Sequence, residues 1–343
     1  MNQRSWQRLV AMKKHNAPFT VRDINRRATM RALHVPTAGG QPTLGDIPTP
    51  EANEGTVLIR VMAAGLNPID NILAAGAMSG MIPHEYPLVV GRDAAGVVEA
   101  VGAGVDHVQV GNRVYGHVLL APPIQAGTVA EYALLPAASV SLLPEGLSFV
   151  TAAAIPLASA AASAAVGLLD AVGPGSVVLV NGASGGVGSF VLQLLAAKQV
   201  DVVATSTPGD IERLRKLGAT STVDHTFGSV VDQVLAIYPD GVDALVNLAG
   251  STAAEIPLGA VKKGGVVSFT TMGPDEDTLA AAGLTGFKVM AKATREVTAP
   301  IAQQVADGSM QVSVAEVLDL DHAAEGLATL AAGTARGKIV VAL

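Results

Sequence analysis

An apolar run leads directly into a glycine-rich turn at residues 177–188, and this junction constrains the fold of the chain more than any other segment. The residues are Val177-Val178-Leu179-Val180-Asn181-Gly182-Ala183-Ser184-Gly185-Gly186-Val187-Gly188. A buried strand, a glycine turn and a helix in this order let the backbone approach a pyrophosphate and aim helix N–H groups at it. We therefore predict a dinucleotide site whose contacts are Gly182, Ala183, Ser184, Gly185, Gly186, Val187 and Gly188.

The same turn also fits a second pattern, the Gly-x-Ser-x-Gly elbow that places a nucleophilic serine between a strand and a helix. Ser184 would be the nucleophile, and His225 and His322 are available downstream. The further glycine at Gly188 and the lack of an upstream glycine cluster of the lipase type favour the dinucleotide interpretation. The hydrolase remains the alternative interpretation of these residues.

Short Val-rich runs alternate with Ala-rich helical stretches around this turn. Strands are predicted at Ser176–Asn181, Val200–Thr205, Ala244–Asn247 and Val266–Thr270. Helices are predicted at Gly188–Lys198, Asp210–Leu217, Ser229–Ile237 and Ala253–Leu258. Apolar strands that alternate with helices are typical of a doubly wound parallel sheet, so the fold class is α/β.

The residues before and after this region follow a different pattern. Short strands separated by Gly and Pro are predicted at Met30–Val35, Gly55–Ala64, Pro87–Val101, Gly111–Gly116 and Val129–Leu135. This pattern indicates a compact β-barrel-like domain. The tail adds a helix, a strand-like run and a final strand, at Ala299–Asp307, Gln311–Val317 and Lys338–Ala342.

Charge and composition exclude several classes of protein. The net charge of the 343 residues is −7, yet residues 1–29 carry seven Lys or Arg and a single acid. The acidic remainder argues against nucleic acid as a partner. The basic head has no apolar core of a secretory signal. It is rich in Arg and poor in acids, as an organelle transit peptide is, but Ser is sparse in it. We therefore expect a flexible leader, or an upstream translation start, on a cytoplasmic protein. The chain has no cysteine, which excludes disulfides and thiolate zinc sites.

One segment has the length of a membrane span. The 24 residues between Glu145 and Asp170 are uncharged, but half of them are Ala or Ser and Pro156 lies near the middle. Such a segment has a poor transfer energy into lipid. We expect a buried helix and no membrane partner.

The residues after the second predicted strand of the α/β region bear on cofactor choice. A site that prefers NAD usually has an acid there, about 20 residues past the glycines. Here Thr205, Ser206 and Thr207 stand at these positions, and Arg213 follows one helical turn later. Hydroxyl groups with a nearby cation suit a 2′-phosphate, so NADPH is predicted rather than NADH.

Ten short motifs follow one another along the chain. In chain order they are Ala64-Gly65-Leu66-Asn67-Pro68-Ile69-Asp70, Gly91-Arg92-Asp93-Ala94-Ala95-Gly96-Val97-Val98, Val101-Gly102, Gly127–Tyr132, Leu143-Pro144-Glu145-Gly146, Ala154-Ile155-Pro156, the glycine turn, Lys216-Leu217-Gly218-Ala219, Gly264-Gly265 and Arg336-Gly337-Lys338. With these motifs the chain resembles the zinc-free quinone oxidoreductase branch of the medium-chain dehydrogenase/reductase superfamily, which includes zeta-crystallin. The resemblance extends from Met30 to Leu343.

The resemblance implies a division of the chain into domains. Residues 30–152 and 293–343 would form a chaperonin-10-like catalytic domain, and residues 153–292 a Rossmann domain for the cofactor. A cleft between them would hold the cofactor. The resemblance also implies a homodimer in which the last Rossmann strand, assigned to Phe287–Ala291, pairs across a two-fold axis.

The resemblance further implies an NADPH-dependent enzyme that needs no zinc. Asn67 and Arg92 stand where zinc-dependent relatives have metal ligands. Hydride would pass to a small hydrophobic quinone or an α,β-unsaturated carbonyl, an acceptor that needs less activation than an alcohol. Asn67 and Asp70 would lie near the nicotinamide and the substrate, with Asn67 able to donate to a carbonyl oxygen.

Three positions depart from the family pattern. Ile72 replaces a Tyr, Ala161 a Thr, and Asp210 the Lys of many NADPH-dependent members. Two alternative functions therefore stay open. One is an enoyl-thioester reductase, and the other is a nucleotide-binding protein with little catalysis that acts as a structural or regulatory partner.

Overall fold

The structure is a computed structural model that describes residues 29–343 apart from Ala171, Ser251 and Met272. The predicted flexible extension, residues 1–29, lies outside the described residues except for Thr29, at which the first strand begins. Within the described residues, no helix combines the length and the apolar character that crossing a membrane requires.

Small antiparallel strands build the first part of the chain. They are β1 (Thr29–Val35), β2 (Thr43–Pro48), β3 (Thr56–Leu66), β4 (Leu88–Val89), β5 (Asp93–Val101), β6 (Arg113–His117), β7 (Tyr132–Pro136) and β8 (Ser141–Leu142). Strands β2, β1 and β4 form a three-stranded sheet. A short helix, α1 (Pro68–Ala74), follows β3, and α2 (Phe149–Ala153) follows β8.

The glycine turn lies in the parallel sheet that follows. The sheet consists of β9 (Val177–Asn181), β10 (Asp201–Ser206), β11 (Ser221–Asp224), β12 (Val242–Asn247), β13 (Val261–Phe269) and β14 (Thr285–Lys288). Its helices are α3 (Pro156–Gly167), α4 (Gly186–Ala197), α5 (Ile211–Lys216), α6 (Val230–Ile237) and α7 (Glu276–Ala282). The strand order β11-β10-β9-β12-β13-β14 confirms the doubly wound sheet predicted from sequence.

The end of the chain returns to the first domain. It contains α8 (Arg295–Ala306), β15 (Val314–Asp319), α9 (Ala323–Ala331) and β16 (Lys338–Ala342). Strand β16 pairs antiparallel with β3, so the seven-stranded sheet follows the order β15-β16-β3-β5-β6-β8, with β7 also paired to β3. The first domain is thus completed by residues that lie beyond the parallel sheet in sequence.

The two domains share a core. Ala63, Ala95 and Tyr115 of the first domain pack in the same buried cluster as residues of α2, α3 and α4. At Gly65 the backbones approach so closely that a Cβ would lie 2.1 Å from the carbonyl oxygen of Ala153. Only glycine fits there, and the contact brings the end of β3 against the entrance to the Rossmann domain.

Sequence patterns placed some element ends wrongly. The last strand of the parallel sheet is Thr285–Lys288 rather than Phe287–Ala291, because its register on β13 sets its ends. Ala253–Leu258 forms two short 3-10 turns, Ala253–Glu255 and Leu258–Ala260, instead of one helix. The uncharged segment between Glu145 and Asp170 contains two helices, and the second starts at Pro156, which lacks an N–H to continue α2.

Candidate active site

The register of three neighbouring strands places polar residues side by side at one end of the seven-stranded sheet. Gly65 of β3 pairs with Asp93 of β5, and Asp93 pairs with His117 of β6. On the other edge of β3, Ile339 of β16 pairs with Leu66, which sets Lys338 beside Asn67. Four segments distant in sequence therefore meet at Asp93.

Asp93 is fully buried and accepts hydrogen bonds from three separate parts of the chain. The donors are Asn67 Nδ2 at 2.9 Å, His117 Nδ1 at 2.7 Å and the backbone N–H of Leu157 at 3.1 Å. Burial raises the pKa of this carboxyl, but Lys338, His117 and Asn67 more than compensate and hold it below its usual value. Asp93 is thus an anion at neutral pH despite its burial.

Lys338 is the cation of this cluster, and the sequence analysis did not single it out. Its Nζ donates to Leu66 O at 2.7 Å and to Asn67 Oδ1 at 2.5 Å, and lies 3.4 Å from Asp93 Oδ2. Burial lowers the pKa of this ammonium group, whereas Asp93 and Asp70 raise it. Its place in the family mark Arg336-Gly337-Lys338 was the only sequence signal for it.

Asn67 is held at both ends of its amide by these two residues. Oδ1 accepts from Lys338, and Nδ2 donates to Asp93, with Gly65 O 3.4 Å from the same nitrogen. This arrangement fixes which end of the amide is oxygen. The amide N–H groups are directed at protein acceptors, and the donation of Asn67 to a substrate carbonyl stays a prediction.

Asp70 lies at the start of α1, where its Oδ2 accepts from the backbone N–H of Asn67 at 2.8 Å. Its other oxygen is sealed from solvent and has no hydrogen-bond partner among the described residues. Burial raises the pKa of Asp70 to about 7, against the lowering effects of the Asn67 N–H, Arg92 and Lys338. The group therefore titrates near neutral pH and is partly protonated there.

The glycine turn lies directly above the same cluster. Gly182 has a positive φ of 83°. A Cβ at Gly188 would lie 2.5 Å from the carbonyl oxygens of Gly182 and Ala183. At Gly186, the first residue of α4, a Cβ would lie 2.7 Å from Cδ of Lys338. The stem of Lys338 thus packs under the turn while its ammonium group reaches Asn67.

This geometry fits a dinucleotide. Gly185 caps α4, and a Cβ there would meet nothing closer than Gly182 O at 3.5 Å, which leaves one face of the turn open above the helix N-terminus. A pyrophosphate is held by such a helix end through backbone N–H groups and the helix dipole. The predicted turn residues, Gly182, Ala183, Ser184, Gly185, Gly186, Val187 and Gly188, would form this cradle together.

The predicted ribose-binding residues divide into two groups. Thr205 and Ser206 are buried, and the Thr205 hydroxyl accepts from Gly182 N at 2.9 Å, so it supports the turn. Thr207 lies further out, and its hydroxyl accepts from Arg336 Nη1 at 3.0 Å. Arg336 is a cation at this site that sequence reasoning missed.

All three nitrogens of the Arg213 guanidinium group donate hydrogen bonds to other groups of the protein. Its Nε and Nη2 donate to the two carboxylate oxygens of Asp210 at 2.7 and 2.8 Å. Nη2 also reaches Ser184 O at 2.9 Å, and Nη1 donates to Ser313 Oγ at 3.1 Å. Arg213 therefore ties the glycine turn to the end of β10, and its contact with a cofactor phosphate stays a prediction.

The donor set at the centre of the cluster bears on metal binding. The buried side chains there include two cations, Arg92 and Lys338, and an amide, Asn67. Cations of this kind repel a divalent ion at short range, and the amide is a poor zinc ligand beside them. In the described ranges, no three His, Cys, Asp or Glu side chains group as metal ligands would.

Two protein-family models and several known proteins match this chain. Residues 53–145 match the family described as alcohol dehydrogenase GroES-like domain, and residues 217–341 match zinc-binding dehydrogenase. The chain is 32% identical to 2-methylene-furan-3-one reductase of Solanum lycopersicum, over 97% of this chain and 84% of that protein. It is 31% identical to an NADPH-dependent alkenal/one oxidoreductase, chloroplastic, of Arabidopsis thaliana, over 86% of this chain and 74% of that protein.

A solved structure shows the same architecture. The quinone oxidoreductase from Coxiella burnetii superposes with a TM-score of 0.79 at 26% identity. The match covers 92% of this chain and 99% of that one. The similarity therefore includes both domains and the junction between them.

Proposed function

The chain belongs to the quinone and enone oxidoreductase branch of the medium-chain dehydrogenase/reductase superfamily, and from this we propose that it uses NADPH, without zinc, to reduce a small hydrophobic quinone or α,β-unsaturated carbonyl. It is an NAD(P)H-dependent oxidoreductase, and the relative from Arabidopsis thaliana is described as NADPH-dependent. The observation that carries the proposal is Lys338, which touches the glycine turn at Gly186 and binds Asn67 and Asp93. The glycine turn and the polar cluster therefore form one continuous site.

The bound nicotinamide would supply the hydride. The chain's own residues provide the setting for that transfer. The turn at Gly182 and Gly185 would hold the pyrophosphate. Asp93 and Lys338 fix the amide of Asn67, and the shared core around Gly65 keeps water out of the junction. Such preorganised dipoles stabilise charge that develops on an acceptor oxygen without reorganising at the moment of reaction.

Two cations at the end of β10 support the choice of NADPH. Arg336 contacts Thr207, and both Arg336 and Arg213 help to hold the pKa of Asp210 below its usual value. Arg213 is already paired with Asp210, so Arg336 is the cation available to a ligand at the predicted ribose site. Its positive charge favours a 2′-phosphate through Coulomb attraction.

The proposal that the enzyme needs no zinc rests on the side chains that line the polar cluster. Lys338 and Arg92 supply positive charge where a metal would have to be held. The match to zinc-binding dehydrogenases covers residues 217–341 and so leaves out Asn67 and Arg92, which stand at the ligand positions of zinc-dependent relatives.

We further propose a homodimer. Strand β14 is the last strand in the order of its sheet, and Phe287 on it is 40% exposed. An open edge with an exposed aromatic side chain is suited to pairing with a second copy. A cytoplasmic location stays a prediction.

The decisive experiment measures oxidation of NADPH and of NADH by the purified protein in buffer with EDTA. The acceptors are benzoquinone, a fused-ring quinone and a simple enone. Turnover with NADPH under chelation, and slower turnover with NADH, is expected. Saturable NADPH binding by fluorescence without turnover of any acceptor would contradict the reductase and favour a non-catalytic nucleotide-binding protein.

A further inference from the structure

The most unusual side chain of the site is Arg92. It is only 1% exposed, yet its guanidinium group makes no hydrogen bond and no ion pair with any described residue. Nε is sealed from solvent without an acceptor. The two terminal nitrogens, in contrast, are not among the sealed atoms, so they keep some exposed surface.

A buried charge without a partner is costly, and proteins rarely keep one for structure alone. Burial lowers the pKa of Arg92, and Asp70 offsets this by raising it. Asp70 acts from beyond ion-pair distance, since no carboxylate oxygen of the described residues lies within 4.0 Å of the guanidinium. The guanidinium thus has charge and N–H donors to offer and no protein acceptor to receive them.

The position of Arg92 places this group at the polar cluster. Arg92 directly precedes Asp93, and its carbonyl oxygen accepts from Val118 N at 2.7 Å, which fixes the backbone between the ends of β5 and β6. The neighbouring polar atoms of Asn67, Asp93 and Lys338 all have partners within the protein. Of the two cations in the cluster, Arg92 is therefore the one whose donors are left for a ligand.

We propose that Arg92 donates hydrogen bonds to the carbonyl oxygen of the acceptor and carries the negative charge that builds up on it. This inference rests on the proposed function and names the group that replaces a Lewis acid at the site. Hydride from NADPH forms a bond to the β-carbon of an enone, and the π electrons of its C=C bond move to form an enolate. Arg92 keeps its protons throughout, and a proton from water then adds to the α-carbon as the C=O bond returns.

A purely structural role predicts a different outcome. If Arg92 only balanced Asp70, its removal would lower the melting temperature and spare turnover. If Arg92 instead donates hydrogen bonds to the substrate, replacing it by an uncharged residue of similar length removes a buried charge that has no partner in the protein. Stability is then retained and catalysis is lost.

The experiment compares Arg92→Met and Arg92→Lys with Arg60→Met, a control on β3 whose side chain is 47% exposed. We expect kcat for the enone to fall about 100-fold in Arg92→Met, as for loss of one oxyanion donor, with partial recovery in Arg92→Lys. The melting temperature of both Arg92 variants and the kcat of Arg60→Met should stay near wild type. An Arg92→Met enzyme with kcat within threefold of wild type would overturn the inference.

A second readout needs no turnover. The phenolate of 4-nitrophenol resembles an enolate oxygen, and its absorbance reports ionisation when it binds beside NADP+. Wild type should bind the phenolate at least tenfold more tightly than Arg92→Met. If wild type reduces no acceptor, the proposed function fails, but this titration still decides the role of Arg92: equal or absent binding in the two proteins would refute it.

Discussion

Nζ of Lys338 lies 2.5 Å from Oδ1 of Asn67, although 271 residues separate them in the chain. The contact joins the last strand to the residue that opens α1, and the same lysine packs under the glycine turn. The packing of the glycine turn and the orientation of Asn67 therefore both involve one buried side chain. We expect changes at Lys338 to affect both.

Lys338→Met should destabilise the protein by about 3 kcal/mol, because it leaves the buried carboxylate of Asp93 without its cation. Urea unfolding measures the loss, with Lys263→Met on the exposed part of β13 as control. The free energy of unfolding of the control should match wild type. Equal stability of both variants would show that Lys338 does not balance Asp93.

Asp70 predicts a pH dependence of stability. The pKa of Asp70 is about 7 in the folded protein, against 3.8 for an ordinary aspartic acid side chain, so the folded state binds more protons between these values. The free energy of unfolding should therefore fall as pH rises from about 4 to 7, by about 4 kcal/mol from this group, and level off above. Arg92, Asp93, Lys338 and the Asn67 N–H are the groups that act on it.

The variant Asp70→Asn tests whether Asp70 causes the free energy of unfolding to fall as pH rises. Urea unfolding at several pH values should show a flatter profile for the variant than for wild type between pH 5 and 7. A wild-type profile that rises over this range, with the same rise in the variant, would contradict the raised pKa of Asp70.

Gly188→Ala should abolish NADPH binding, because the new Cβ would lie 2.5 Å from two carbonyl oxygens of the turn. Gly167→Ala is the matched control, since nothing lies within 4 Å of a Cβ there. Fluorescence titration should give a Kd raised at least 100-fold for the first variant and unchanged for the second. Tight binding by Gly188→Ala would mean that the cofactor is not held at this turn.

Arg336→Gln should reduce the preference for NADPH over NADH about tenfold, since one charge-assisted contact to a phosphate is worth about 1–2 kcal/mol. The ratio of kcat/KM values for the two cofactors is the measurement. Arg295→Gln serves as control because Arg295 lies on α8, where its side chain is 44% exposed. An unchanged ratio would assign the preference to other residues.

Phe287→Arg should shift a dimer towards monomer, because it places a charge on the open edge of β14. Phe227→Arg is the control, as Phe227 is 79% exposed away from that strand. Light scattering after gel filtration gives the mass of each. A wild-type monomer, or a Phe287→Arg dimer, would contradict pairing at this edge.

The sequence alone was sufficient for local features. Apolar strands and the turn at Gly182–Gly188 each depend on neighbours within a few residues, and the structure has both. Element ends such as those of β14 depended on a partner strand and were therefore misplaced.

The composition of the polar cluster was beyond local reasoning. Asn67 and Asp70 came from a short motif, but Lys338, Asp93 and His117 join them only through the pairing of β16, β3, β5 and β6. Arg336 reaches Thr207 in the same way, over 129 residues. Local sequence thus determined the glycine turn that we propose holds the cofactor. Burial and strand register decided which charges meet beside it, because those depend on contacts that no short segment contains.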